Sequence, residues 1–292
     1  MRVLVQFFDE WSDFRLAELQ SLINCPEPPV MLEHSGSKLF TILDLPDEES
    51  ARALCVRSVL IKAVYELWGM GSSLEEAVEA TKSAYESGSV IDKALLRVEN
   101  SWCVDIQLLY KKVSSAVKED FRNHFKFLDF LGPVQLREPD VNVTVVLDYF
   151  QEYSSREKGC TMEGSDMNLL AASVYCGRVL AKGGMREELR KYDLKKRLYL
   201  GPTTLDHSLA FLMANLAGVK PGYLCLDPFV GTASLLIALS HHGAFCMGTD
   251  IDVRVIRGMM YAGGGRHKDS DSVQVQQDGE EAKRDIFATF ND

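Results

Sequence analysis

The sequence predicts an α/β protein made of two units, and three observations support this class. Strand-like and helix-like segments alternate through the first half of the chain. A polar stretch that contains Gly and Ser follows at 151–168, and such composition indicates a boundary. Beyond it, a short apolar strand leads directly into a helix, with Asp227 and Gly231 in the turn between them. Strands and helices that interleave in this way pack as layered α/β units.

The elements of the first unit are predicted from the spacing of their apolar residues. Alternating or β-branched runs indicate strands, and apolar residues three or four apart after a Ser indicate helices. Ser12 is expected to cap the first helix. The run 59–67 fits a strand or a helix. In chain order the prediction is strand 2–8, helix 11–22, strand 38–45, helix 47–55, the ambiguous run 59–67, helix 72–85, strand 102–109, helix 113–125 and strand 141–149.

The second unit is predicted from fewer segments. These are a helix at 205–216, a strand at 223–226, a helix at 233–239, a strand at 245–249, a loop at 262–281 and a helix from Asp285. Asp250-Ile251-Asp252 ends the second of these strands. The predicted organisation is a region at 1–168, a basic connecting segment at 169–204 and a partial domain at 205–292.

Composition excludes several classes of protein. Apolar residues make up 46% of the chain and charged residues 25%, as in ordinary globular proteins. No apolar run approaches the ~18–20 residues of a membrane span, and the start MRVLVQFFDEW is not that of a secretory signal peptide. Seven cysteines without a CxxC pair favour free thiols in a reducing compartment, and argue against a zinc site or a disulfide framework. We therefore expect a cytoplasmic protein that has no membrane anchor.

The net charge of −10 argues against nucleic-acid binding by the whole surface, but one stretch is basic. Between Arg178 and Arg197 lie eight cations and only three carboxylates. Such a patch can contact phosphates in an acidic protein. The candidate RNA-binding residues are Arg190, Lys191, Lys195 and Lys196. A solvated helix face with ion pairs between neighbouring turns explains the same pattern equally well.

The turn D-P-F-V-G-T at 227–232 is the candidate ligand site. Asp250 follows Asp227 by about the length of one βαβ unit, so both acids are expected at the same edge of the sheet, where open α/β sheets bind ligands. A dinucleotide site has the pattern G-x-G-x-x-G, whose backbone amides face phosphates. This turn has one glycine and a carboxylate, which favour a cationic nucleoside without phosphates.

S-adenosylmethionine is a ligand of that kind, with an ammonium, a sulfonium and a ribose whose hydroxyls suit Asp250. The alternative is that Asp227 caps the helix and Asp250 only ends a strand. Thr203 and Thr204 precede the helix at 205–216 and are open to either role, near the ligand or in helix capping.

Several segments of the sequence resemble those of a known family. DPFVGTASLL and MGTDID resemble the first motif and the following acidic strand end of Rossmann-fold, S-adenosylmethionine-dependent methyltransferases. KKRLYLGPTTLDHSLAFLMANLA, at 195–217, resembles the lead-in of one branch, the THUMP-domain tRNA guanosine N2-methyltransferases. RVLVQFF, SWCVDIQLLY and VNVTVVLDY resemble the RNA-binding half of that family.

The resemblance implies a fold, an activity and partners. The fold is an N-terminal ferredoxin-like and THUMP-type RNA-binding region followed by an incomplete Rossmann-like methyltransferase domain. The activity is methyl transfer from S-adenosylmethionine to the exocyclic N2 of guanosine 10 in tRNA, without a metal and with the help of a small zinc-binding activator subunit. The cofactor-binding residues it implies are Asp227, Pro228, Phe229, Gly231, Thr232, Asp250 and Ile251.

The sequence departs from the family at the catalytic tetrapeptide, Asn- or Asp-Pro-Pro-Tyr/Phe. No such motif follows residue 252, and the one Pro-Pro pair, Pro28-Pro29, is flanked by Glu27 and Val30. We therefore assign no catalytic residue, and we expect a chain cut off before that motif to bind cofactor weakly and not to methylate tRNA. The alternatives are a non-catalytic RNA-binding protein or isoform, and a methyltransferase for another substrate.

Two aromatic groups have less specific interpretations. Phe121, Phe125, Phe127 and Phe130 are expected in the core rather than as platforms for bases. His241-His242 is expected at the surface of a helix end, where a histidine interacts favourably with the helix dipole.

Overall fold

The computed structural model describes residues 1–23, 38–88, 91–149, 173–196 and 204–252. The chain forms two compact units, which are described separately. The first unit comprises the residues up to Gly183 except Ser21–Asn24 and Arg57–Val59. These two short stretches group with the second unit, whose main part begins at Gly184. The loops predicted at 151–168 and 262–281, and the helix predicted from Asp285, lie outside the described residues.

A six-stranded sheet forms the centre of the first unit. Its strands are β1 (Arg2–Phe7), β2 (Phe40–Asp44), β3 (Ile61–Gly71), β4 (Trp102–Leu109), β5 (Val141–Asp148) and β6 (Ser173–Lys182). Their order across the sheet is β2-β1-β3-β6-β5-β4. Neighbours are antiparallel except β4 and β5, which are parallel. The run that the sequence left ambiguous is therefore a strand, β3.

In the described part of this unit, four α-helices accompany the sheet: α1 (Arg15–Leu22), α2 (Glu48–Arg57), α3 (Leu74–Ser87) and α4 (Ser115–Asn123). Serine hydroxyls cap two of them. Ser73 accepts from the Glu76 N–H at 3.2 Å and Ser114 from the Val117 N–H at 3.4 Å. The expected cap at Ser12 is wrong, because Ser12 begins a short 3₁₀ turn and its hydroxyl donates to the Asp13 carboxylate instead.

The core of the first unit lies on both faces of the sheet. On one face, Val143, Val145 and Leu147 of β5 pack with residues of α3 and α4. On the other, a smaller cluster includes Tyr65 and Tyr175. Among the four phenylalanines assigned to the core, Phe121 and Phe125 are buried, and Phe127 and Phe130 pack against the same cluster. The prediction that they are core residues is confirmed.

Strand β6 differs from its sequence-based description as part of a basic connecting segment. It lies in the first unit, between β3 and β5. Arg178 on this strand donates to Glu66 at 3.0 Å and to Glu48 at 3.1 Å, and its side chain is 14% exposed. This cation therefore belongs to the ion pairs of the sheet and not to a solvated basic face.

The second unit contains a pair of parallel strands with helices. Its elements are α5 (Met185–Leu189), α6 (His207–Leu216), β7 (Leu224–Asp227), α7 (Ser234–His241) and β8 (Phe245–Gly248). Strand β7 pairs with β8, and α7 connects them as the crossover of a βαβ unit. Within the described ranges no helix has the length and apolar character needed to cross a membrane.

Candidate functional site

The two acids identified from the sequence lie at the same edge of the β7–β8 pair. Asp227 is the last residue of β7 and stands in register with Gly248, the last residue of β8. The Thr249 N–H donates to the Asp227 carbonyl at 2.9 Å, which continues the pairing beyond the strand ends. Because parallel strands end at the same edge, this is the position at which α/β sheets bind ligands.

The turn between β7 and α7 is held by its own hydrogen bonds. The Asp227 carboxylate accepts from the Phe229 N–H at 3.0 Å, and the Val230 N–H donates to the Thr249 carbonyl at 2.9 Å. Gly231 has φ +48° and Ala233 has φ +62°. Glycine adopts such left-handed backbone freely, whereas alanine does so at a cost of about 1 kcal/mol or more. The turn is therefore tight, and Ala233 is strained within it.

The Asp250 carboxylate joins the end of β8 to this turn. One of its oxygens accepts from the Gly231 N–H at 2.9 Å, and the other accepts from the Asp252 N–H at 2.9 Å. A carboxylate has about four acceptor positions, so two remain for hydroxyl groups of a ligand. Asp250 thus has the capacity expected of a ribose acceptor, and it also fixes the glycine of the turn.

The remaining cofactor-binding candidates lie around these acids. Thr232 donates from its hydroxyl to that of Thr204 at 3.2 Å, and Pro228 accepts at its carbonyl from the Thr249 hydroxyl at 3.1 Å. Phe229 and Ile251 expose 86% and 103% of their surface. These two apolar side chains stand open to solvent beside the polar turn. Thr203 lies outside the described residues.

The charge at this edge is negative. Residues 227–234 and 249–252 contain three carboxylates and no Lys, Arg or His. A phosphate would be repelled at such a position, whereas an ammonium or a sulfonium would be attracted. The donor and acceptor groups therefore fit a cationic nucleoside and do not form the phosphate cradle of a dinucleotide site.

Gly248 is a site residue that the sequence analysis missed. A Cβ atom added to it would lie 2.5 Å from Val230 Cγ2 and 2.7 Å from Val230 Cβ. The absence of a side chain at 248 therefore lets the turn and α7 lie close against β8. A glycine two residues before Asp250 is the sequence signal that indicates this contact.

The proposed RNA-binding residues are found on short helical turns of the second unit. Lys191 forms an exposed ion pair with Glu188 at 2.6 Å, which raises the pKa of Lys191 and lowers that of Glu188. The Lys195 N–H donates to the Asp193 carboxylate at 3.0 Å. Arg190 begins the turn Arg190–Tyr192, and Lys196 ends the turn Leu194–Lys196. The ion pair at Lys191 agrees with the solvated-face interpretation without excluding phosphate binding.

His241 and His242 end α7 within an aromatic cluster. The Tyr192 hydroxyl lies 2.8 Å from His241 Nδ1, and Phe211 contacts both histidine rings with centroid separations of 5.0 and 5.7 Å. Burial lowers the pKa of His241, and it lowers the pKa of His242 to about 4. The pair thus packs with other aromatic rings of the second unit. The sequence-based expectation of a surface position did not foresee this packing for His242.

Fold and site together define an α/β unit followed by a Rossmann-like strand pair whose acidic edge is the candidate ligand site. Residues 1–182 match the family described as Tmrp11 THUMP N-terminal domain, and residues 195–279 match the RMKL-like, methyltransferase domain. The first match spans more than half of the chain. The chain therefore belongs to the Tmrp11 THUMP N-terminal domain family.

Curated relatives agree with this membership. The chain is 35% identical over 260 residues to tRNA (guanine(10)-N(2))-methyltransferase TRMT11 of Rattus norvegicus, covering 88% of this chain and 53% of the relative. The Homo sapiens protein of the same name is 34% identical with the same coverage. The Saccharomyces cerevisiae tRNA (guanine(10)-N(2))-methyltransferase is 32% identical over 247 residues, covering 84% of this chain and 54% of the relative. The chain spans about half the length of these relatives.

Proposed function

We propose that this chain is the RNA-binding and cofactor-binding part of an S-adenosylmethionine-dependent tRNA methyltransferase that modifies N2 of guanine 10. The observation that carries the proposal is the acidic edge of the β7–β8 pair, where Asp250 accepts from the Gly231 N–H and keeps acceptor positions for a ligand. The names of the relatives supply the substrate and the position of the modified base.

The residues proposed to hold the cofactor are Asp227, Pro228, Phe229, Gly231, Thr232, Asp250 and Ile251. In this proposal, the Asp250 carboxylate accepts hydrogen bonds from the ribose hydroxyls, and the negative charge of Asp227 attracts the cationic end of the ligand. Phe229 and Ile251 supply exposed apolar surface for a flat base. The cofactor supplies an electrophilic methyl group, and the protein contributes by orienting it in line with the attacking amine.

The tRNA is proposed to contact the first unit and the cations Arg190, Lys191, Lys195 and Lys196. Lys191 is paired at the surface, and such solvent-screened pairs contribute little to stability, so a phosphate can replace Glu188 as its partner. The target base has to leave its stack to reach the cofactor. We further propose a small zinc-binding activator subunit as a partner, as the resemblance to the family implies. We also propose a cytoplasmic location, because the described cysteines are free thiols.

Cofactor binding is tested by calorimetric titration of S-adenosylmethionine into residues 1–292, with NADH as the dinucleotide control. The expected result is binding of S-adenosylmethionine and no heat from NADH. Absence of S-adenosylmethionine binding, or preferential binding of NADH, would contradict the proposed ligand class.

The substrate is tested separately in a protein that joins residues 1–292 to a segment carrying the Asn/Asp-Pro-Pro-Tyr/Phe motif, with labelled S-adenosylmethionine, bulk tRNA and the activator subunit, followed by nucleoside analysis. Methyl label in N2-methylguanosine supports the proposed reaction, and label in another nucleoside or in protein supports a different substrate. A tRNA gel shift without cofactor distinguishes the remaining alternative, a non-catalytic RNA-binding protein. Such a protein shifts tRNA but does not bind S-adenosylmethionine.

A further inference from the structure

Cys225 and Cys246 lie directly opposite each other on the paired strands β7 and β8. In a parallel pair, residues in register project their side chains to the same face. Neighbouring strands are about 4.7–4.9 Å apart. This separation falls within the range of about 4.4–6.8 Å between the Cα atoms of disulfide-bonded cysteines. The backbone therefore places two thiols at a distance that a disulfide can span.

The surroundings distinguish this pair from the other described cysteines. Cys225 and Cys246 are partly exposed, whereas Cys55, Cys103 and Cys176 are buried. The Cys246 thiol donates to the carbonyl oxygens of Leu236 and Ala244, each 3.6 Å from Sγ, and because S–H is a weak donor these contacts hold the thiol only loosely.

The titration of Cys246 gives a second indication that the two sulfurs are close. Burial raises the pKa of the Cys246 thiol, and the charge of Cys225 raises it further. A thiolate at one position therefore acts on the other. Since the thiolate is the attacking species in exchange, the raised pKa makes closure of a disulfide slow near neutral pH and faster in alkali.

We propose that Cys225 and Cys246 form a reversible disulfide by exchange with a small-molecule disulfide. One thiolate attacks the oxidant and forms a mixed disulfide, releasing one small thiol. The second cysteine then attacks the protein sulfur of this mixed disulfide and releases the second small thiol. In sum, the two cysteines lose two protons and two electrons, and the oxidant gains them to become two thiols.

The geometry of a parallel pair makes this disulfide easy to reduce. The Cβ atoms of opposed residues lie near the strand spacing, beyond the usual range of about 3.5–4.5 Å in disulfides. Closure has to draw the strands together, and strained disulfides have higher reduction potentials. The bond would join β7 and β8 two residues before Asp227 and Gly248, next to the candidate ligand site. Its formation requires no ligand and is independent of the proposed function.

The test is disulfide mapping of the full chain after treatment with oxidised glutathione. Free thiols are blocked with N-ethylmaleimide, and the protein is digested with chymotrypsin, which cleaves after Phe229 between the two cysteines. We expect a peptide pair joined through Cys225 and Cys246 that dithiothreitol separates, and faster closure as the pH rises above neutrality. Stable glutathione adducts on both residues, or cross-links of either residue to a different cysteine, would overturn the proposal.

Counting thiols in a matched background makes the result quantitative. Cys25 and Cys160 lie outside the described residues, and replacing both by Ser leaves 7 − 2 = 5 cysteines. Oxidation of Cys25→Ser/Cys160→Ser should reduce the alkylatable thiols, counted after denaturation, by two. Adding Cys225→Ser should abolish the closed bond and leave Cys246 as a glutathione adduct or a free thiol. If the variant that also carries Cys225→Ser still closes a disulfide and loses two thiols on oxidation, the assignment is contradicted.

Discussion

The carboxylate of Asp250 faces both the backbone and the proposed ligand. Its oxygens accept from the N–H groups of Gly231 and Asp252, so it fixes the shape of the turn before any ligand binds. Hydrogen bonds to a charged group contribute about 1.5–3 kcal/mol each. Removing the carboxylate therefore affects both the turn and its affinity for ribose hydroxyls, and a binding experiment has to separate the two.

Asp250→Ala is expected to weaken S-adenosylmethionine binding at least tenfold, because the ribose loses its charged acceptor and the turn loses the Gly231 contact. Tenfold corresponds to about 1.4 kcal/mol, just below the range for one such hydrogen bond, so the loss of a single bond is enough to produce it. Asp250→Asn retains one acceptor oxygen and should have a smaller effect. The measurement is calorimetric titration, with thermal unfolding recorded for each variant.

Asp252→Ala is the matched control for that prediction, because it removes the same charge two residues away. The Asp252 contact with Asp250 is made through its backbone N–H and survives the substitution. If Asp250→Ala binds the cofactor like the unaltered chain, or no worse than Asp252→Ala, Asp250 has no place in the site.

Gly248→Ala tests how closely the turn approaches β8. The added Cβ would lie 2.5 Å from Val230 Cγ2, so Val230 and the turn have to move. Such overpacking costs about 1–3 kcal/mol of unfolding free energy. Val230→Ala removes the Cγ2 methyl, the closest of the colliding atoms, and leaves the Val230 Cβ at 2.7 Å, so the double variant should be partly relieved and less destabilised than the sum of the two single changes. Urea unfolding of all four proteins measures this coupling. Additive losses would show that the contact is absent.

At the scale of elements, strands whose composition clearly favours a strand are predictable, and a strand of mixed composition is not. The alternation in β1 and the β-branched run of β5 predict these strands to within a residue at either end. In β3, the residues Ala63, Glu66 and Leu67 favour helices and interrupt the β-branched and aromatic residues, so composition selects neither class. The run 59–67 is ambiguous for that reason.

Long-range contacts explain what the sequence could not supply. From its sequence, β6 is assigned to a basic segment. The acidic partners of its Arg178 are Glu48 and Glu66, which lie more than a hundred residues away in the chain, so no local pattern reveals the pairing. At the site, the spacing of Asp227 and Asp250 predicts a shared edge from the length of one βαβ unit. The Asp250–Gly231 hydrogen bond and the close approach at Gly248 depend on packing and have no local pattern.

The end of α7 provides a prediction about pH. Burial lowers the pKa of His242 from 6.5 to about 4, and Nε2 finds no hydrogen-bond partner among the described residues. Below pH 6.5 the unfolded chain takes up a proton at His242 that the folded chain does not bind until about pH 4. The contribution to stability is therefore complete above pH 6.5 and is lost as the pH falls through this window.

We expect the second unit to lose about 1–2 kcal/mol of stability through His242 in that window, after allowance for its partial exposure. His242→Gln should flatten the pH profile of thermal unfolding measured by calorimetry. His124→Gln, at an exposed position of the first unit, should leave the profile as it is. A profile that keeps its slope in His242→Gln would assign the pH dependence to other groups.

For the whole molecule, the distribution of charge matters more than its sum. The net charge is −10, yet two of the cations between Arg178 and Arg197, Arg178 and Lys182, belong to the sheet of the first unit. Arg190, Lys191 and Lys195 belong to the second. The sequence-based patch is therefore divided between the two units, and the part proposed to contact tRNA is the group at 190–196.

Reversing the charges of Arg190, Lys191, Lys195 and Lys196 to Glu should weaken tRNA binding at least tenfold at low salt. The reason is counterion release: each lost phosphate contact removes part of the affinity and makes the dependence of affinity on salt less steep. Gel shifts over a series of salt concentrations measure both quantities. The loss should be similar for different tRNAs, because phosphate contacts carry no sequence information.

The single variants Lys191→Glu and Lys220→Glu separate a local contact from a general change in charge. Both lysines are exposed residues of the second unit, and both substitutions change the net charge by the same amount. Lys191→Glu should weaken binding and reduce the salt dependence, whereas Lys220→Glu should do neither beyond a small uniform effect. If the two variants behave alike, or if the fourfold reversal binds tRNA as tightly as the unaltered chain, the cations at 190–196 form a solvated surface. The tRNA would then have to be held by the first unit alone.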